Sequence, residues 1–278
     1  MINMDRSPDR LKKMKKQLDN MGLKFKRFLA IDGSKIEICN LKTGEVIKGD
    51  ALKTFSKQKN EDKVDYIVSF EGFFVKYRTD ISVLKRHLSY GEFGCAMSHL
   101  CVINDVIKNK FNKVLVFEDD IVFEPDFKEN VSLALKNVPN DFDVLFLDIG
   151  MCGKLLEKND MCAMYVADPE RVLRSFEQIP SNRYVVKLLN DGNVYGTHAY
   201  CLSFKGASKI IQNTEHFTLP IDNHILSSAG LRDLKKYAAR KKMLYISDDK
   251  SLIQEMGRDF GVSLNSIGIS PQKKDEKK

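Results

Sequence analysis

The chain has 278 residues, 43% hydrophobic and 30% charged; a core of useful size can form, which excludes a disordered tail or a collagen-like repeat. No apolar run approaches the ~18–20 residues that span a bilayer, and the start Met1-Ile2-Asn3-Met4-Asp5-Arg6 lacks the basic-then-apolar pattern of a secretory leader, so a cytoplasmic protein is expected. The net charge of +7 suits anionic substrates or a membrane surface; it is too dispersed for nucleic acid, and Trp is absent.

Met1 to Met4 reads as the end of a first strand. Ser7, Pro8 and Asp9 supply an N-cap, a first-turn proline and an acid suited to the helix dipole. Leu11, Met14, Leu18 and Met21 then recur at helical spacing until Gly22. Phe25 to Ile31 reads as the next strand, ended by the turn pair Asp32-Gly33. Residues 35–90 look like an irregular insertion over the sheet. They hold a small hairpin from Ile36 to Ile47, a polar, mobile stretch from Lys53 to Lys63, and a strand or packed loop from Tyr66 to Tyr77.

From Gly91 the pattern sharpens. Ala96, Leu100, Ile103 and Ile107, with Cys95, His99, Val102 and Val106, form two adjoining apolar stripes of a largely buried helix. Val114 to Phe117 is a continuous apolar run, the signature of a central parallel strand, and it ends in Glu118, Asp119 and Asp120. A helix near 127–137 and a second buried run, Val144 to Leu147, lead to Asp148. Helix and strand alternate, which predicts an α/β fold with a mostly parallel, Rossmann-like central sheet flanked by helices. A single domain over 1–272 is expected, with 273–278 a disordered charged tail. The basic run Arg232, Lys235, Lys236, Arg240, Lys241 and Lys242 is assigned to one more helix; it is either a solvated face or a means of peripheral attraction to an anionic leaflet. The six cysteines include no Cys-x-x-Cys pair and read as reduced core thiols.

Acids at the carboxyl end of a strand in an open α/β sheet stand where ligands bind. Three adjacent carboxylates repel one another unless a cation or basic groups sit among them, and hard divalent ions share such oxygen ligands with substrate phosphates. In an extended chain Glu118 and Asp120 point one way and Asp119 the other, so two of the three can reach one metal. A solvated acidic turn is the bland alternative. Neither a Walker lysine loop nor a Gly-x-Gly-x-x-Gly fingerprint is present, which argues against P-loop and dinucleotide chemistry.

Gly91-Glu92-Phe93-Gly94-Cys95-Ala96-Met97-Ser98-His99 followed by Val114 to Asp120 resembles glycosyltransferase family 25, which includes bacterial lipooligosaccharide galactosyltransferases and collagen galactosyltransferases. Ile2-Asn3-Met4-Asp5-Arg6 is similar to the family's usual start. Gly196-Thr197-His198-Ala199-Tyr200 with Lys205-Gly206-Ala207 resembles a third block, and Leu219-Pro220-Ile221-Asp222 a fourth. The blocks fall in family order, with residues 35–85 the least matched. The resemblance implies a GT-A-like fold, a UDP-sugar donor (most often UDP-galactose), a divalent cation such as Mn²⁺, inversion at the anomeric carbon and a glycan or glycolipid acceptor such as lipooligosaccharide. It also places uridine contacts near Asn3 and Asp5.

On this reading Asp120 is the first choice of metal ligand, with Glu118 or Asp119, and neutralises a departing diphosphate. Asp222 is the candidate base, or else the N-cap of a helix over 223–229. Asp148 is the second choice for base or acceptor contact. His198 is a third metal ligand, a donor to phosphate or a packed structural histidine, and His99 is a core histidine tying the sheet to a loop. Glu92 caps the buried helix or holds a sugar hydroxyl. Arg6 and Arg10 suit a diphosphate or form surface ion pairs, and Asp32 contacts uracil or ribose or simply makes a turn. The competing functions are a nucleotidyltransferase or phosphohydrolase using the same acids, and a non-catalytic carbohydrate-binding family member.

Overall fold

The computed structural model describes residues 1–59, 63–82, 84–148, 176–189, 196–226, 231, 233–241 and 243–247. The expected tail 273–278, Arg232, Lys242, Cys152 and Cys162 lie outside them; the other cysteines are free thiols.

The chain opens strand–helix–strand. β1 (Ile2–Asn3) and β2 (Phe28–Leu29) pair in parallel, with Ile2 opposite Phe28, on either side of α1 (Pro8–Asn20). Pro8 opens α1 as expected, but the Ser7 side chain makes no capping bond. Gly22, at φ +66°, turns the chain away after α1, and Leu23 N–H closes back on the Leu18 carbonyl at 2.9 Å. Arg10, Met14 and Leu18 form the buried face. From the same helix the Gln17 amide brackets β8 (Ile121–Phe123), donating to the Ile121 carbonyl at 3.1 Å and accepting from Phe123 N–H at 2.9 Å.

The stretch expected to be irregular is a regular sheet. β3 (Glu37–Asn40), β4 (Val46–Lys48), β5 (Asp65–Phe70) and β6 (Phe73–Arg78) pair antiparallel in the order β4-β3-β5-β6. Within the stretch expected to be polar and mobile, α2 (Ala51–Phe55) buries Leu52 and Phe55. Phe55 packs edge-on to Tyr66, its centroid 5.5 Å away, so two apolar side chains anchor an otherwise polar segment. Tyr77 and Phe93 meet at 4.9 Å and join this sheet to α3 (Tyr90–Lys108).

α3 is buried along most of its length, as its two stripes require. Ser89 and Glu92 form a reciprocal capping box at its start. A Cβ on Gly94 would lie 2.7 Å from the Ile31 carbonyl oxygen, so only glycine lets α3 approach the segment that carries Asp32.

The central sheet contains six strands in the order β10-β11-β13-β9-β12-β7. These are β7 (Lys113–Phe117), β9 (Val144–Phe146), β10 (Phe176–Glu177), β11 (Val185–Leu188), β12 (Ala199–Ser203) and β13 (Lys236–Ala239). The expectation of a mostly parallel sheet is corrected here: among these pairings only β9–β13 is parallel. β12 inserts between β7 and β9 and runs against both. Apolar runs report burial on both faces of a strand, not its direction. Both faces are covered. Val116, Val144, Phe146, Tyr200, Leu202 and Ala238 enter one core, and Phe117, Leu145, Ala199, Cys201 and Tyr237 the other. α4 (Phe127–Asn137) lines the second core, while α5 (Phe204–Asn213) packs on α3 over the first.

The basic run assigned to a helix is β13 and its flanks. Lys236 is 1% exposed, Lys235 pairs with Asp141, and Lys241 pairs with Asp126. Among the described residues the run therefore presents no continuous basic face to a leaflet. Ladder partners on both sides of β13 override the local helical spacing. None of the described helices is long and apolar enough to cross a membrane.

Candidate functional site

The end of β7 delivers the acidic triplet. Glu118 N–H donates to the His198 carbonyl at 2.8 Å, and the Asp120 carbonyl accepts from Ser247 N–H at 2.7 Å, so the triplet's backbone is held at both ends.

The side chains of Glu118 and Asp119 diverge, whereas Asp119 and Asp120 share Arg10. Asp119 turns toward β1 and α1, accepting from Asn3 Nδ2 at 2.6 Å and from an Arg10 guanidinium nitrogen at 3.1 Å. Glu118 turns toward α3 and β12. Its Oε1 accepts from Thr197 Oγ1 at 3.0 Å and lies 3.2 Å from His99 Nε2, while His99 Nδ1 meets the Tyr200 hydroxyl at 2.9 Å. His99 thus ties α3 to the ends of β7 and β12, as a core histidine should. Asp120 lies 3.5 Å from the Arg10 guanidinium through Oδ2, whereas its Oδ1 is buried without a hydrogen-bond partner among the described residues. Arg10 is 8% exposed and pairs with two of the acids. Its sequence reading as a diphosphate contact or a surface ion pair missed this role, because nothing in a linear spacing brings residue 10 to residues 119 and 120.

His198 Nδ1 is 3.4 Å from Asp148 Oδ2, close enough for charge pairing but outside hydrogen-bond geometry, and both atoms are buried and unpartnered. Burial works to lower the His198 pKa, but Asp148 and the charges of Glu118 and Asp120 outweigh it and push it up to about 9. For Glu118, burial favours the neutral acid; the His99 bond and the charge of His198 prevail, leaving it down at about 2. Asp120 moves the other way, up to about 6, through burial and then the charge of Glu118, against His198 and Arg10. An acid whose charged form is disfavoured by burial and by a neighbouring carboxylate is one that a cation would relieve. The oxygen-rich donor set and the unpartnered Asp120 Oδ1 fit a hard divalent ion.

A second group of ligand-type atoms lies behind the triplet: Cys95, His99 and Glu118 each offer one within 4.8 Å of the others. Both His99 nitrogens and Glu118 Oε1 already have partners, and burial, then the surrounding acids, pushes the Cys95 thiol far up. His99 and Thr197 form a hydrogen-bonded backing for Glu118.

Asp222 sits in the first turn of α6 (Ile221–Leu226) and is therefore not its N-cap; residues 227–229 of the expected helix lie outside the described residues. Its Oδ2 accepts from Gly196 N–H at 3.4 Å and its Oδ1 from Asn223 N–H at 2.8 Å, which ties it to the segment carrying Thr197 and His198. Asp222, Glu118 and Asp120 all bear electrostatically on Cys95, so they share one neighbourhood.

Other predicted residues lie at the margin or serve the fold. Asn3 is 1% exposed and bridges Asp119 and Arg27, while Asp5, 73% exposed at its side chain, pairs with Arg27. Arg6 and Asp32 pair at 3.6 Å, and Asp32 Oδ1 also caps the turn at Ser34. Glu92 accepts two bonds from Arg86 and one from Ser89 N–H, so its carboxylate serves the start of α3.

The family model described as glycosyltransferase family 25 (LPS biosynthesis protein) matches residues 1–225. A glycosyltransferase 25 family member of Aedes aegypti is 27% identical over 230 residues, covering 81% of this chain and 30% of that protein. Human procollagen galactosyltransferase 2 is 26% identical over 261 residues, covering 88% and 34%. A rat protein named probable inactive glycosyltransferase 25 family member 3 is 28% identical over 145 residues, covering 50% and 21%. The chain spans about a third or less of the length of these curated relatives.

Proposed function

The chain belongs to glycosyltransferase family 25, and from that premise we propose that it transfers a hexose, galactose from UDP-galactose, with inversion, onto a hydroxyl of a cell-surface glycan such as lipooligosaccharide. The observation that carries this reading is the unpartnered Asp120 Oδ1 among Glu118, His198 and Asp148 at the end of β7. On this reading the fold is GT-A-like, with the donor held along the edge formed by β1, α1 and the triplet.

Asp120 with Glu118 would hold a divalent cation such as Mn²⁺, which would supply charge neutralisation for a departing diphosphate. The chain's own residues supply the rest. Asp119 is engaged by Asn3 and Arg10, so it anchors the triplet to β1 and α1. His198, protonated against Asp148, presents a fixed positive charge to phosphate oxygens. The Arg6–Asp32 pair and Asp5 stand at the exposed margin, where a nucleoside can displace weak surface pairing. Asp222 takes the proton of the attacking hydroxyl on a carboxylate oxygen, a contribution of about 10²–10⁴-fold. Asp148 holds the acceptor side of His198.

Thermal shift with UDP-sugars, with and without Mn²⁺, followed by a transfer assay, tests the proposal. Metal-dependent stabilisation by UDP-galactose together with transfer supports it. Stabilisation by nucleoside triphosphates alone would assign the acids to nucleotidyl transfer or phosphohydrolysis, and no response to either class would make the chain a non-catalytic member.

A further inference from the structure

Lys236 is the one lysine on the buried central strands whose ammonium is paired with backbone instead of a carboxylate among the bonds described. It is 1% exposed, and its Nζ donates to the carbonyls of Ile225 at 3.1 Å and Leu226 at 2.8 Å. Those carbonyls end α6, whose first turn carries Asp222. The six described residues of α6 supply few internal bonds, so contacts from outside the helix matter to its placement. The His224 ring meets Thr214 Oγ1 at 3.1 Å, Leu231 N–H donates to the His224 carbonyl at 2.9 Å, and α3 packs against the helix. The contact from Lys236 reaches the helix from the middle of the sheet, and a cation at a helix C-terminus also complements the helix dipole.

We infer that Lys236 is a positioning residue for the acceptor side of the site: it clamps the C-terminal end of α6 to β13 and thereby holds Asp222 against the Gly196–His198 segment. A methionine of similar length would fill the same space, yet it would remove the side-chain donor that both carbonyls have among the described residues, which loosens the end of α6. A shift of about 1 Å at a proton acceptor costs on the order of 100-fold in rate while sparing the donor side, where Asp120 and Arg10 are held by α1 and β7. The inference rests on the reading of Asp222 as the base, so its test separates the two.

Lys236→Met is compared with wild type and with Val185→Ala, a core trim in β11 on the opposite face of the sheet. Three quantities are measured: hydrogen exchange of residues 221–226, UDP-galactose affinity with Mn²⁺, and the rates of transfer and of donor hydrolysis. The expected result for Lys236→Met is exchange about tenfold faster over α6, donor affinity and hydrolysis close to wild type, and transfer lowered about 10- to 100-fold. Val185→Ala should lower Tm without moving α6 exchange or the ratio of transfer to hydrolysis. Unchanged exchange overturns the clamp, and faster exchange with unchanged transfer overturns the positioning role. If Lys236→Met does not fold, Lys236→Gln retains one donor group and is expected to show the same pattern at smaller size. Normal transfer by Asp222→Asn would remove the base reading; exchange over α6 would still decide whether Lys236 clamps it.

Discussion

The two larger sheets of the molecule handle charge in opposite ways. On the four-stranded sheet Glu37 pairs with Lys48 and Asp65 with Arg78, and these side chains are 38% to 66% exposed, so water satisfies whatever the pairs do not. At the end of β7 the side chains of Glu118, Asp119 and Asp120 are 20%, 10% and 15% exposed and crowd together, and among the described residues Asp120 Oδ1 is buried with no hydrogen-bond partner. Folding alone would not favour the second arrangement. A local conflict that persists inside an otherwise consistent fold marks the place where a ligand completes the structure.

Substitutions can break or sharpen this contrast. The largest effect is expected from Asp120→Asn, which should lower metal-dependent transfer on the order of 10³-fold while leaving Tm unchanged or higher, because a buried charge crowded by Glu118 is removed. Full turnover in that variant would remove Asp120 from the site. Asp222→Asn should lower transfer by about 10²-fold with UDP-galactose affinity retained, as read by calorimetry alongside the rate assay.

The pH dependence of stability comes next. Burial lowers the His87 pKa to about 4, so between its ordinary value and about 4 the unfolded chain binds a proton that the folded chain does not. Its contribution is complete above about pH 6.5 and is lost as pH falls, amounting to about 2 kcal/mol at pH 5. Asp120, pushed up to about 6, works in the opposite sense, so the comparison must be with His87→Phe, whose ring can take the place beside Phe55. The loss in urea midpoint between pH 7.5 and pH 5 should be smaller in that variant. An equal loss would show that His87 protonates in the folded state.

Gly94→Ala drives a methyl into backbone of the Ile31–Gly33 segment and should cost about 2 kcal/mol, seen as a lower Tm. The smallest effect belongs to the four-stranded sheet: Asp65→Asn breaks an exposed pair with Arg78 and should cost under about 1 kcal/mol in denaturant titration. A cost as large as that of a buried ion pair would erase the contrast between the sheets.

What was legible in the sequence is what local periodicity encodes. The α1 stripe, the buried α3, the apolar runs of β7 and β9 and the acids that follow β7 depend on spacing within one segment, and each stands where the pattern put it. Glu118 and Asp119 face different neighbours, but Asp119 and Asp120 converge on Arg10 because the chain turns there and strand alternation stops. The polar Lys53–Lys63 stretch and the basic run misled because composition outweighed single anchors: Leu52 and Phe55 bury α2, and β13 takes a central place in the sheet despite its lysines.

By itself the sequence determined which segments carry apolar faces, where the carboxylates cluster and which family's blocks stand in order, because these are properties of neighbours along the chain. Only the tertiary structure decided that β12 runs against β7 and β9, that Arg10 sits between two acids more than a hundred residues away, and that Lys236 reaches the end of α6. Strand direction and the partners of buried charges are set by which distant groups must share a low-dielectric interior, and that choice is made when the two cores close.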